Sequence, residues 1–277
     1  MLKKVCSSLL IVVLVLSLVA CGNSKESKEG SGDGPSLSKI KKEGEIVLGT
    51  SADYPPYEWL SKDKDGNTQV VGFDIALGQA VADKLGVKLK VQDMAFNGII
   101  PSLKAGDVDI AISGLAANEE RKEVIDFSEP YHGGSQGVLI RKEDAEKYKS
   151  KNDFKGAKVA AQLGSLQENL ATELKGAEYE GMTNSNNIVL ELKNKAIDAM
   201  IVAGSTGTQF AQLNDDLLYQ DVGFEEEDSM AVGVAKGNED LIKIINEVIK
   251  DWADSGKMKE ELDHYTQLSN EEAQELK

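Results

Sequence analysis

Apolar residues in this chain follow two alternating patterns. Short unbroken runs such as Glu45–Gly49 (EIVLG), Lys88–Val91 and Val108–Ile112 read as buried strands. Elsewhere apolar residues recur every four positions. Phe73, Leu77, Val81 and Leu85 line one helix face, and Gly86 stops that helix. Asn97–Lys104 reads as a short helix, with Pro101 tolerable near its first turn. A later helix covers Leu241–Trp252, with Leu241, Ile244, Ile245, Val248 and Trp252 on one face and Gly256 at its end. Strand–helix alternation of this kind predicts an α/β fold with a largely parallel sheet.

A weak repeat runs through the pattern. LKAGDVDIAI (103–112) and LKNKAIDAMI (192–201) share L-K-x-x-x-[V/I]-D-x-x-I, each reading as a helix end, a tight turn and a buried strand. Either any helix–strand unit looks this way, or the chain holds two similar lobes. Two α/β lobes place a ligand in the cleft between them, beyond the C-terminal ends of the strands.

The N-terminus changes the picture. MLKK followed by CSSLLIVVLVLSLVA is a short basic segment and an apolar run too short to span a bilayer, so residues 1–20 read as a secretory signal peptide. Leu18-Val19-Ala20-Cys21 resembles the bacterial lipobox, in which the cysteine is lipidated. Residues 21–38 are then the lipid anchor and a flexible tether, since 22–36 contain no large apolar residue. Losing Cys6 with the signal leaves Cys21 alone, which excludes an internal disulfide and a cysteine-rich zinc site; no metal or cofactor is expected. The 277 residues are 41% hydrophobic and 28% charged, ordinary for a globular chain of about two domains. A net charge of −16 argues against nucleic-acid binding.

Candidate chemistry follows the strands. After EIVLG, one proline-stiffened loop carries Asp53, Tyr54, Tyr57, Glu58 and Trp59, residue types suited to ligand stacking; a hydrophobic plug competes as a role for Tyr57 and Trp59. Phe96 follows the next strand and could form a second aromatic wall. Ser113 and Gly114 end another strand. Beyond them Asn118 is a good helix N-cap, which puts Arg121 at the third helical position, where the dipole disfavours a cation. A planar guanidinium there matches a carboxylate with two parallel bonds, although Glu119, Glu120 or Asp126 could pair it instead. In QLGSLQE, Ser165-x-x-Glu168 fits a capping box, and Gln162, Ser165 and Gln167 offer polar contacts.

In order, GTSADYPPYEW, VGFDIALGQAVADKLG, GIIPSLKAGDVDIAISG, ANEERKEVIDFSEPY and QLGSLQE resemble the family 3 extracellular solute-binding proteins of bacterial amino-acid ABC importers, over about residues 40 to 265. The resemblance implies a two-lobed periplasmic-binding-protein fold (type II) with two hinge crossings and the ligand in the interlobe cleft. Lobe 1 is expected over 39–132 and 234–277, lobe 2 over 136–230, and hinges at 131–135 and 231–233. It implies that Tyr54 and Phe96 sandwich the ligand side chain. Ser113, Gly114 and Arg121 hold its α-carboxylate, and Ser165 and Gln167 add second-lobe contacts. Two positions depart from the family: Ala116 replaces a hydroxyl residue, and Ala203 replaces the acid that pairs the ligand ammonium. An unpaired buried ammonium is costly. Three answers stay open: Asp53 or Glu58 serves instead, Ser205 and Thr206 give neutral bonds, or the ligand is not an ordinary α-amino acid.

The resemblance implies capture of an amino acid by lobe closure and delivery to a membrane permease. The chain would be a monomeric lipoprotein on the outer face of the bacterial membrane. An enzyme on the same fold, such as a cyclohexadienyl dehydratase, or a non-transport sensor or adhesin are the alternatives. Neither His132, in the hinge, nor His264, in the terminal helix, looks poised for catalysis.

Overall fold

The structure, a computed structural model, describes residues 35–225 and 227–275. The expected signal peptide and most of the expected tether, with Cys21, lie outside the described residues. The first half of the chain runs α1 (Pro35–Glu43), β1 (Glu45–Thr50), β2 (Asp53–Tyr54), β3 (Glu58–Lys62), β4 (Thr68–Val71), α2 (Phe73–Leu85), β5 (Lys88–Asp93), α3 (Phe96–Ala105), β6 (Ile110–Ala111), α4 (Glu119–Val124) and β7 (Ile125–Phe127). The second runs β8 (His132–Arg141), β9 (Lys158–Gln162), α5 (Leu166–Glu173), β10 (Glu178–Met182), α6 (Ser185–Lys193), β11 (Ala199–Ala203), α7 (Gly204–Leu213), β12 (Leu217–Gln220), β13 (Glu227–Met230), β14 (Gly233–Ala235), α8 (Glu239–Ser255) and α9 (Lys257–Glu275).

Two large sheets organise these elements, with strand orders β5-β1-β6-β14-β7 and β10-β9-β11-β8-β12, beside a three-stranded sheet β2-β3-β4. Each contains a parallel trio, β5-β1-β6 in one and β10-β9-β11 in the other. The repeat is real at atomic level. Asp109 donates its backbone N–H to Val47 O at 2.8 Å and takes the Val47 N–H on its carboxylate at 2.9 Å. Asp198 brackets Lys158 the same way, at 2.7 and 2.9 Å. One aspartate per lobe thus locks the third strand of the trio to the first.

The antiparallel members have a topological cause. β14 and β8 each enter their sheet directly from the other lobe, pairing antiparallel with β6 and β11. A strand arriving at the cleft edge must run away from it, whereas the trio runs towards it. The two crossings also pair with each other: His132–Ser135 of β8 lies antiparallel to Glu227–Met230 of β13. The expected return segment 231–233 follows at once, with Ala231 N–H on Leu115 O and Val232 N–H on Ser128 Oγ.

Helix α2 shows why the first loop sits where it does. Its apolar stripe, Phe73, Leu77 and Val81, is buried, and Gly86 closes it in the left-handed region at φ 70°. At its start Gly72 adopts φ 138°, and a Cβ there would lie 2.0 Å from Tyr57 O. Phe73 and Asp74 donate their N–H groups to Pro56 and Tyr57 carbonyls at 3.1 and 3.0 Å, so the 54–58 loop is bolted to the helix N-terminus. Helix α9 touches both lobes. Trp59 Nε1 donates to Glu272 at 2.8 Å, and Gln209 Nε2 donates to Ser269 Oγ and Asn270 Oδ1 at 3.1 and 2.9 Å.

Candidate functional site

Arg121 stands where its spacing predicts. Asn118 caps α4 by accepting the Arg121 N–H at 2.9 Å, so Arg121 is the third helical residue. Its side chain is 7% exposed and turns back along the chain. Nη1 donates to Ala116 O at 2.7 Å within lobe 1, and Nη2 donates to Gly164 O at 2.7 Å in lobe 2. The guanidinium carbon lies 5.5 Å from the Phe96 ring centroid, within cation–π reach. Phe96, Asn97, Arg121, Gly164 and Ser165 line an interlobe cavity of about 460 Å³.

Asp53 makes the second cross-lobe contact. It is almost fully buried and accepts from Ser51 Oγ (3.1 Å), Gln162 Nε2 (3.0 Å) and the Ser185 N–H (2.6 Å). Burial pushes its carboxyl up to about 6, against the lowering effect of those three donors. On the far side of this contact lies a larger cavity of about 650 Å³, walled by Ala52, Trp59, Asp93, Thr183, Asn184 and Phe210 among others.

The aromatic pair divides its labour. Tyr54 Oη accepts the Ala203 N–H at 3.2 Å, and its ring stacks at 6.4 Å on Tyr57. Tyr57 is fully buried, packs edge-on against Phe73, and donates its hydroxyl to Ser205 Oγ at 2.9 Å. Plug and cross-lobe tie therefore coincide in Tyr57. Ser165 caps α5, accepting the Glu168 N–H at 3.1 Å and donating to Gln162 O at 2.6 Å. The expected capping box is displaced by one residue: Glu168 accepts from Gly164 N–H, because the Gly164 turn (φ 80°) presents that donor instead. Gln167 donates to Gln136 Oε1 at 2.8 Å inside lobe 2.

The Ser113–Gly114 turn engages acids within its own lobe. Ser113 Oγ donates to Glu58 at 2.9 Å and accepts the Ser51 N–H; Gly114 N–H donates to Asp74 Oδ2 at 2.7 Å. Glu58 and Asp74 are both fully buried. Asp53, Tyr54, Phe96, Arg121, Gln162 and Ser165 thus converge on the interlobe seam, whereas Glu58 and Gln167 sit behind it. The sequence reading missed Asp74 and Ser185, and it placed Tyr131 only in the hinge and not on Asp74. The signal for Asp74 was an acid beside the apolar stripe of α2, which the helix dipole alone would excuse. Among the described residues no group of three or more metal-binding side chains occurs, and no helix is long and apolar enough to cross a membrane.

Comparison with known proteins bears on the family and the fold. The family model for bacterial extracellular solute-binding proteins, family 3, matches residues 46–267. The arginine-binding extracellular protein ArtP of Bacillus subtilis is 34% identical over 262 residues, covering 92% of this chain and 95% of its own. A Streptococcus pneumoniae amino-acid ABC transporter substrate-binding protein, AbpA, solved with bound L-arginine, superposes with a TM-score of 0.81 at 33% identity, over 84% of this chain and 98% of that one. An ancestral amino-acid-binding protein described as a precursor of cyclohexadienyl dehydratase gives 0.76 at 33% identity, over 83% and 99%. The chain is a bacterial extracellular solute-binding protein of family 3.

Proposed function

We propose that this chain captures a basic amino acid of the arginine class between its lobes. It then presents the closed form to an ABC permease, from a lipid anchor on Cys21. The observation that carries this is Arg121, a nearly buried guanidinium at the boundary of both lobes, beside Phe96 and an interlobe cavity. A carboxylate is the ligand group that matches such a planar fork of donors. Asp53 supplies the acid that Ala203 lacks: it already accepts from second-lobe donors at the seam, so a ligand cation there keeps it paired. Tyr54 and Phe96 flank the ligand, and Ser165 adds a second-lobe contact. The β8–β13 ribbon serves as the hinge. The arginine-binding relatives support the ligand class. Binding without turnover is expected, since the matched relatives are named as binding proteins.

A thermal-shift screen of the twenty amino acids, cystine and small dicarboxylates tests the proposal. A ligand at 100 times its Kd stabilises by about 2.7 kcal/mol, so the true ligand stands out. Arginine and lysine should give the largest shifts, and a shift confined to acidic or apolar amino acids would overturn the assignment. Serine at Cys21 should release the protein from the membrane fraction; retention there would count against the anchor.

A further inference from the structure

Glu58 and Asp74 are two fully buried carboxylates on adjacent residues of the Ser113–Gly114 turn. The Asp74 N–H donates to Tyr57 O at 3.0 Å, which sets Glu58, the next residue of that loop, beside the helix start, and both acids bond the one Ser113–Gly114 turn. Their outer oxygens are engaged: Glu58 Oε1 accepts from Ser113, and Asp74 Oδ2 accepts from Gly114 N–H and from Tyr131 Oη at 2.9 Å. Their remaining oxygens, Glu58 Oε2 and Asp74 Oδ1, are buried and receive no hydrogen bond from any described residue. Two acceptors with no donor between them are unfavourable, and two adjacent buried charges more so. One proton between them removes both problems.

We propose that Glu58 and Asp74 share one proton between Oε2 and Oδ1, and that the pair acts as a positioning device. It fixes the Ser113–Gly114 turn on one side and Tyr131, at the start of the hinge, on the other. The other titratable groups that act on the pair are Asp53 and Tyr131, and neither is a cation. Burial and the neighbouring acid push Glu58 well above the usual carboxylate range, and burial pushes Asp74 up as well. The folded chain therefore binds a proton that the unfolded chain releases. The stability tied to it is complete at acidic pH and is lost as pH rises through the pair's folded titration. The bearing of the pair on ligand capture rests on the proposed amino-acid site; the proton itself does not.

Infrared difference spectroscopy of the ligand-free protein reads the proton directly. A protonated-carboxyl C=O band should be present at neutral pH and absent in Glu58→Gln, and its absence from the wild type would overturn the proposal. Amide substitution supplies a second test, because an NH₂ group can stand in for the shared proton. Glu58→Ala should lower the melting midpoint by about 5–10 °C, and Glu58→Gln should recover most of that and lose the alkaline fall in stability. Glu58→Gln with Asp74→Asn sets two NH₂ groups face to face, so the double variant should lose more than the sum of the singles. An additive double variant, or a Gln variant as damaged as Ala, would refute the shared proton. A wild type that shows the band yet shifts with no amino acid would remove the proposed ligand and leave the pair intact.

Discussion

The two lobes share a scaffold but not a chemistry. Asp109 and Asp198 clamp equivalent strands with equivalent bonds, so the repeat extends to the trio in each sheet. Beyond the strand ends the copies diverge. Lobe 1 presents Asp53, Arg121 and the buried Glu58–Asp74 pair, and lobe 2 answers with Gln162, Ser165, the Gly164 carbonyl and the methyl of Ala203. The buried ionisable groups at the seam lie on one side; on the other the buried groups are neutral, and the cavity-lining Glu168 is already held by the Gly164 N–H. A lobe with no buried charge at the seam can close on lobe 1 without bringing a further unpaired charge into a low-dielectric site.

The largest test of this asymmetry is to delete its cation. Arg121→Ala should weaken arginine binding by about 2–5 kcal/mol with the fold retained, as read by calorimetry; Arg121→Lys should fall between, having charge without the fork. A variant that keeps wild-type affinity would break the comparison. Next is to give lobe 2 the acid it lacks. Ala203→Asp places a carboxylate at a site only 1% exposed, close to the Tyr54 hydroxyl. It should destabilise the ligand-free protein by about 1–3 kcal/mol and tighten binding of α-amino acids; weaker binding would indicate a ligand without an α-ammonium.

Smaller effects follow from Asp53 and Ser165. Burial raises Asp53 to about 6, so its protonated form favours folding: that contribution is complete below about pH 4 and is lost as pH rises through about 6. Asp53→Asn should flatten stability across that window, as followed by denaturant midpoints, and should weaken arginine binding. An unchanged pH profile would place the titration elsewhere. Ser165→Ala removes the α5 cap and should cost about 1 kcal/mol of stability, measured by urea unfolding.

Much of this architecture was legible because it is written in local patterns. Period-four apolar residues marked α2 and its glycine stop, the shared motif marked the equivalent strand of each sheet, and the Asn118 cap marked the position of Arg121. Less legible were contacts made only by the fold. Asp74 reads as an ordinary N-terminal acid, and only the Gly72 turn brings it under Glu58. Ser185 donates through its backbone, which carries no residue signature. Glu168 has the spacing of a capping box, yet a glycine at φ 80° redirects its carboxylate. Gln167 carries a ligand-like amide, but a fully buried Gln136 takes it.

The most direct measurement is a calorimetric titration of the wild type and Arg121→Ala with L-arginine and with agmatine, which is arginine lacking its carboxylate. Arginine should bind the wild type far more tightly than agmatine, and Arg121→Ala should bring the two affinities together. Agmatine binding the wild type as tightly as arginine would contradict a carboxylate clamp at Arg121.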